Sequence, residues 1–141
     1  MHNYPKPPFR NGGRVGNGYS ASHRAKDINP RLDDTGDVLA IESGVVTDYQ
    51  SGQAPGDDSP NMVIVRGTDG ALTVYAHVDP GVFTGSSVAR GDTIGRVDMS
   101  GVSSGLHVHL SRLPAGEGTV YDVEEREPTQ GVNYTISLNA W

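Results

Sequence analysis

The segment Gly105-Leu106-His107-Val108-His109 puts two of the chain's five histidines one residue apart. On a strand, residues i and i+2 point to the same face, so His107 and His109 project side by side. His77 closes an alternating run, Leu72-Thr73-Val74-Tyr75-Ala76-His77, and His23 lies four residues before Asp27. Two imidazoles, with a further His and an Asp arriving from elsewhere, are enough ligands for a zinc site with an open position. The chemistry this implies is metal-assisted hydrolysis. The helical His-Glu-x-x-His pattern is absent, so its glutamate cannot be the general base. A histidine, titrating near neutrality, is the natural substitute.

Singly, these motifs are less specific. His-x-x-x-Asp is common by chance. On an ideal strand His23 and Asp27 would sit about 13 Å apart, at roughly 3.3 Å per residue. The segment must bend if both bind one metal, and Pro30 soon after permits that. Alternation puts Leu106, Val108 and Leu110 on one face and His107, His109 and Ser111 on the other. In the same way Leu72, Val74 and Ala76 oppose Thr73, Tyr75 and His77. The expectation is that the histidines occupy the polar faces of two strands whose other faces supply core. The bland counterpart is a pair of solvated surface histidines.

The elements that must position these residues read as strands. Asp37 to Glu42 and Gly44 to Tyr49 read strand, turn, strand. Residues 51–60 form a surface loop. Asn61 to Arg66 and Ala71 to His77 flank Thr68-Asp69-Gly70, and Asp-Gly between two strand-like runs predicts a hairpin. Thr93 to Val97 and Leu106 to Arg112 add two strands, and Val132 to Leu138 alternates as an edge strand would. Only Asp122 to Glu127 looks locally helical. The fold expected is mostly β, an antiparallel sandwich or open barrel with long loops around a substrate groove. A faint repeat, Gly36-Asp37-Val38-Leu39-Ala40 against Gly91-Asp92-Thr93-Ile94-Gly95, suggests a duplicated β-motif. Residues 1–22, rich in Pro, Gly, Asn and Arg, read as an extended arm and loop. Residues 23–113 read as the core, and 114–141 as a C-terminal extension.

Composition narrows the function classes. At 141 residues one domain is expected. Hydrophobic residues make up 35%, beside 19 glycines and 9 prolines, which suits short strands and long loops. The net charge of −6, with Lys and Arg scattered, argues against nucleic acid and against simple adhesion to anionic wall polymers or lipids. With no cysteine, any metal must use His, Asp or Glu. No apolar stretch approaches the roughly 20 residues of a membrane span. The start, Met1-His2-Asn3-Tyr4-Pro5, has no apolar core of a signal peptide. The expectation is therefore export by another route, or an excised mature domain.

In order and spacing, residues 23–112 resemble the zinc endopeptidases of the lysostaphin and LytM type, which cut peptide cross-links of bacterial peptidoglycan. The matching residues are His23-Arg24-Ala25-Lys26-Asp27, Gly36-Asp37-Val38-Leu39-Ala40 running to Gly44-Val45-Val46, and Tyr75-Ala76-His77-Val78. They continue with Gly91-Asp92-Thr93-Ile94-Gly95 and Gly105-Leu106-His107-Val108-His109. The resemblance implies one zinc per chain on His23, Asp27 and His109, with His77 and His107 as catalytic histidines. It also implies a groove tyrosine that steadies the transition state, for which Tyr19 and Tyr4 are candidates.

Three departures stand out. Ala25 replaces a usual Gly and would be strained if that position takes a positive φ. Leu106 replaces a usual Pro, and Leu110-Ser111 replaces the usual Phe-Glu. The partners implied are peptidoglycan cross-links, met by a monomer whose targeting comes from its groove or from a fused or partner protein. The place of action implied is the bacterial wall, outside the cytoplasm, reached by secretion or phage delivery. Two other classes share the architecture. One is a metal-free regulatory or wall-binding domain of this fold. The other is a histidine phosphocarrier of the sugar phosphotransferase type, which would need no metal ligands.

Overall fold

The computed structural model describes residues 2–4, 6–16, 25–103, 105–113 and 134–136. Among these residues twelve strands are formed: β1 (His2–Tyr4), β2 (Arg14–Val15), β3 (Lys26–Asn29), β4 (Asp37–Leu39), β5 (Gly44–Gln50) and β6 (Met62–Gly67). They continue with β7 (Leu72–Ala76), β8 (Val78–Pro80), β9 (Ser87–Val88), β10 (Thr93–Val97), β11 (Val108–Leu113) and β12 (Tyr134–Ile136). Among the described residues there is no α-helix. The segment Asp122 to Glu127, read as helical, lies outside them.

Seven strands make one open antiparallel sheet in the order β2-β3-β11-β7-β6-β5-β9, and three make a second, β4-β10-β8. The main core lies between these sheets. From the large sheet it takes Ile28, Val46, Val63, Val65, Tyr75, Val108 and Leu110; Val38, Val78 and Ile94 come from the small one. Phe9, from the segment before β2, is fully buried in the same cluster. Each such aliphatic side chain, removed from water, contributes about 1.5–3 kcal/mol before entropy is counted. β1 and β12 pair in parallel as a separate two-stranded sheet.

The Asp69-Gly70 signal is a hairpin turn between β6 and β7. Gly70 takes φ +87°, and Ala71 N–H donates to the Asp69 carboxylate at 3.0 Å. The two halves of the faint repeat are partners: β4 and β10 pair antiparallel, with a shift of register between Thr93 and Gly95. Gly36 and Gly91, which precede them, both sit at positive φ, +87° and +93°. The duplication is therefore a turn made with glycine followed by a strand, and the two strands close on each other. The strand-turn-strand reading of 37–50 holds, except that the first strand stops at Leu39 and not at Glu42. β4 and β5 do not pair but enter different sheets, because Ala40 and Ile41 turn into the core and Glu42 turns to Arg112.

Face assignment is the second correction. Register pairs Leu110 with Tyr75 and His109 with Ala76, and Cα partners share a face. Thr73 and Tyr75 therefore face the main core, where both are fully buried. Leu72, Val74 and Ala76 lie on the other face, where they cluster with Ile64 and Met62. The alternation was read correctly and Leu72, Val74 and Ala76 do supply core, but the face read as polar is buried too, against the main core. Tyr75 is large enough to serve as core, provided its hydroxyl has a partner. That hydroxyl accepts the Ile41 N–H at 2.9 Å, and burial pushes its pKa up.

Candidate active site

β3 and β11 bring Asp27 opposite His109, on the same face as Ala76. Asp27 Oδ1 lies 3.2 Å from His109 Nδ1. His107, two residues before His109 and on the same side, places Nε2 3.6 Å from that oxygen. Neighbouring Ile28, Val108 and Leu110 anchor both strands in the core with no exposure. Asp27 and the two histidines keep side-chain exposures of 11–20%, sheltered yet open to a small reactant.

His77 reaches the same place by a different route. Strand parity would point it with Tyr75, into the main core. Instead it has φ +62°, and among the described residues it is the only non-glycine with positive φ. That left-handed turn ends β7 and carries the ring to the Asp27 face. Its ring centre lies 4.8 Å from that of His107 and 6.1 Å from that of His109. Such a backbone costs of order 1–3 kcal/mol and persists where its surroundings hold it. Here His77 N–H donates to Asn61 O at 2.9 Å, and Asp98 N–H donates to His77 O at 2.8 Å.

Both outer histidines have a defined donor nitrogen. His77 Nδ1 lies 2.7 Å from Ser100 O, and His107 Nδ1 lies 2.8 Å from Gly105 O. A carbonyl only accepts, so each Nδ1 carries the proton and each Nε2 is left as the acceptor nitrogen. His77 has its pKa lowered, first by burial and then by the charge of His107 and His109. The Ser100 hydrogen bond and Asp27 oppose the shift.

The donor set fits part of a zinc site. Two ligands about 2.0–2.2 Å from one tetrahedral zinc are separated by about 3.3–3.6 Å. Asp27 Oδ1 and His109 Nδ1 nearly meet that spacing, and both are zinc-type donors. Among the described residues no group of three His, Asp or Glu is arranged to hold a metal ion. His23 and Tyr19 lie outside the described residues. Tyr4 falls in β1, away from the seven-stranded sheet in sequence pairing. Ala25 is fully buried.

The sequence reading missed Asn61, Asp98 and Ser100, which surround His77. The spacing Asp98-x-Ser100 was the available signal, since an Asp commonly accepts from the backbone two residues on. Ser100 N–H does donate to Asp98 Oδ1, at 2.9 Å.

Residues 21–123 match the model of peptidase family M23. The chain belongs to that family. Its fold is similar to lysostaphin from Staphylococcus simulans, with a TM-score of 0.64 and 24% identity over 84% of this chain and 48% of that one. The M23 chain thus spans about half of whole lysostaphin. Against the catalytic domain of lysostaphin alone the TM-score is again 0.64, with 22% identity over 82% of this chain and 89% of that domain. A zinc-containing peptidase from Vibrio cholerae matches with a TM-score of 0.61 and 21% identity, over 79% of this chain and 36% of that one. Among the described residues no helix of this M23 chain is long and apolar enough to cross a membrane.

Proposed function

We propose that this M23 chain is a zinc-dependent endopeptidase that hydrolyses peptide cross-links of bacterial peptidoglycan. The observation that carries this reading is the meeting of Asp27, His107 and His109 within 3.6 Å, with His77 turned onto the same face. His23, Asp27 and His109 would hold one zinc. Bound zinc supplies Lewis acidity at the scissile carbonyl and makes water more acidic. The family match, and the zinc-containing peptidase of similar fold, favour this over a metal-free regulator or a phosphocarrier.

The remaining chemistry belongs to His77 and His107. Neutral, each offers an unprotonated Nε2 that takes the proton of the attacking water. Protonated, each donates from Nε2 to the oxyanion or to the departing amine. Burial favours neutral His77 and so suits it to begin as the base. A tyrosine before the first ligand, Tyr19, adds a further donor to the oxyanion. The catalytic core is 23–113, flanked by the arm 1–22 and the extension 114–141. The enzyme works as a monomer on the wall, outside the cytoplasm, brought there by secretion, phage delivery or a carrier module.

The test is digestion of purified peptidoglycans of differing cross-link chemistry by the zinc-loaded protein, with mass analysis of the products. New amino termini at cross-links, abolished by a chelator and restored by zinc, are expected. Fully zinc-loaded protein that releases nothing from any cross-link type would sink the reading.

A further inference from the structure

We propose that Asp98 is a positioning residue for His77, acting through Ser100 and Asn61, and that it fixes which ring nitrogen His77 presents to the reaction. The proposal deepens the peptidase reading above and rests on it for the role of His77. Neither the ligand set nor the catalytic pair includes any of these three residues.

The geometry is a closed collar of hydrogen bonds. Asp98 Oδ1 accepts the Ser100 N–H at 2.9 Å and also the Ser100 hydroxyl. Asp98 Oδ2 accepts Asn61 Nδ2–H at 2.8 Å. Ser100 Oγ in turn accepts the Asn61 N–H at 2.9 Å. These bonds tie two segments together, the start of β6 and the loop after β10. His77 is held inside. Its N–H goes to Asn61 O, its carbonyl accepts the Asp98 N–H, and its Nδ1–H goes to Ser100 O.

Asn61, His77 and Ser100 are 5%, 7% and 2% exposed, so water cannot readily replace a missing partner. The Ser100 carbonyl can aim at His77 Nδ1 only while the Asp98-Met99-Ser100 turn keeps its shape. A main-chain carbonyl cannot be mutated directly, so the turn's carboxylate is where sequence controls the contact. With that carbonyl aimed, Nδ1 keeps the proton and Nε2 is left to accept one. Without it the other tautomer becomes available, and Nε2 would then carry the hydrogen and be useless as a base.

Asp98→Asn is the direct test, because its amide nitrogen would face the donor Asn61 Nδ2. Pairing it with Asn61→Asp swaps the two partners and keeps an acceptor for the Gln53 N–H, while giving up the longer bond from Asn61 Nδ2 to Gln53 O at 3.3 Å. Ser100→Ala is the companion should Asp98→Asn fold poorly. Three quantities are read: the 15N shifts of the His77 ring, zinc content, and kcat and KM on peptidoglycan. In the single variants the ring shifts should move from the Nδ1–H form toward a mixture. Their kcat should fall by about 10- to 100-fold, the scale of a small misplacement of a reacting group. KM and zinc content should stay near parental values. The double variant should recover much of both the ring shifts and kcat relative to Asp98→Asn.

Folded single variants whose His77 stays in the Nδ1–H form would overturn the proposal. So would a double variant no better than Asp98→Asn. The ring shifts need no turnover. A parent that proved inactive would remove the peptidase reading and leave the positioning result standing.

Discussion

Asp27 and His109 face one another across the β3–β11 pair, with carboxylate oxygen and imidazole Nδ1 3.2 Å apart. A carboxylate and an imidazole at that spacing, on strands pinned by fully buried Ile28, Val108 and Leu110, form a preorganised pair of donors. Asp27→Ala and His109→Ala should therefore each lose zinc, and His23→Ala should do the same. Elemental analysis after gel filtration decides it. Full occupancy in any two of the three would reject the ligand set.

His77→Ala and His107→Ala should keep zinc and fold but lose hydrolysis by roughly 10²-fold or more, the scale of general acid–base catalysis. Initial rates on one peptidoglycan, normalised to zinc content, measure this. A variant cutting at near the parental rate would show its histidine to be a bystander.

What the sequence made legible was local. Asp69-Gly70 between alternating runs marked its hairpin, and Thr93 to Val97 was bounded as observed. The pair His107 and His109 shares a side because a strand repeats every two residues. What stayed hidden depended on partners distant in sequence. Tyr75 reads as a polar-face residue until Ile41, 34 residues away, supplies a donor to its hydroxyl. Glu42 and Arg112 show no pattern linking them across 70 residues. The short strands β3, β8 and β9 have too few residues to display a period. His77 was singled out for its type, yet its route to the site is a left-handed turn that alternation cannot foretell.

The turn at His77 has a cost that depends on side-chain shape. Asparagine tolerates positive φ, whereas a β-branched residue there is a true outlier. His77→Asn and His77→Val both give up the bond to Ser100 O, and His77→Val should be the less stable of the two by about 1–3 kcal/mol. Urea unfolding of the zinc-free proteins measures the gap. Equal midpoints for the two variants would mean that the backbone relaxes out of the left-handed region.

Arg112 donates through Nη1 and Nη2 to the two carboxylate oxygens of Glu42, and through Nη1 to Thr73 Oγ at 2.8 Å. The side chains are 6% and 12% exposed, so removing Arg112 strands the Glu42 charge, whereas Arg112 keeps Asp69 at 3.7 Å when Glu42 is removed. Arg112→Ala should cost about 3–5 kcal/mol and Glu42→Ala less. Joining Arg112→Met with Glu42→Leu should cost much less, since no lone charge remains. Losses in the double variant equal to the sum of the singles would show that packing, not charge, sets the cost.

The lowered pKa of His77 makes stability depend on pH in a definite direction. Its cause is chiefly burial. Above the ordinary histidine value of about 6.5, folded and unfolded chains both hold the ring neutral, and this residue adds no slope. As pH falls below about 6.5, the unfolded chain takes up the proton before the folded one. The unfolded state then binds more protons, so stability drops until pH passes below the folded value. Replacing the ring with a side chain that does not titrate should remove that part of the slope. Urea midpoints of zinc-free parent and His77→Asn, compared from about pH 7.5 to about pH 5, should therefore separate. The parent should lose more stability over that interval. Curves that fall in parallel would place the acid sensitivity on groups other than His77.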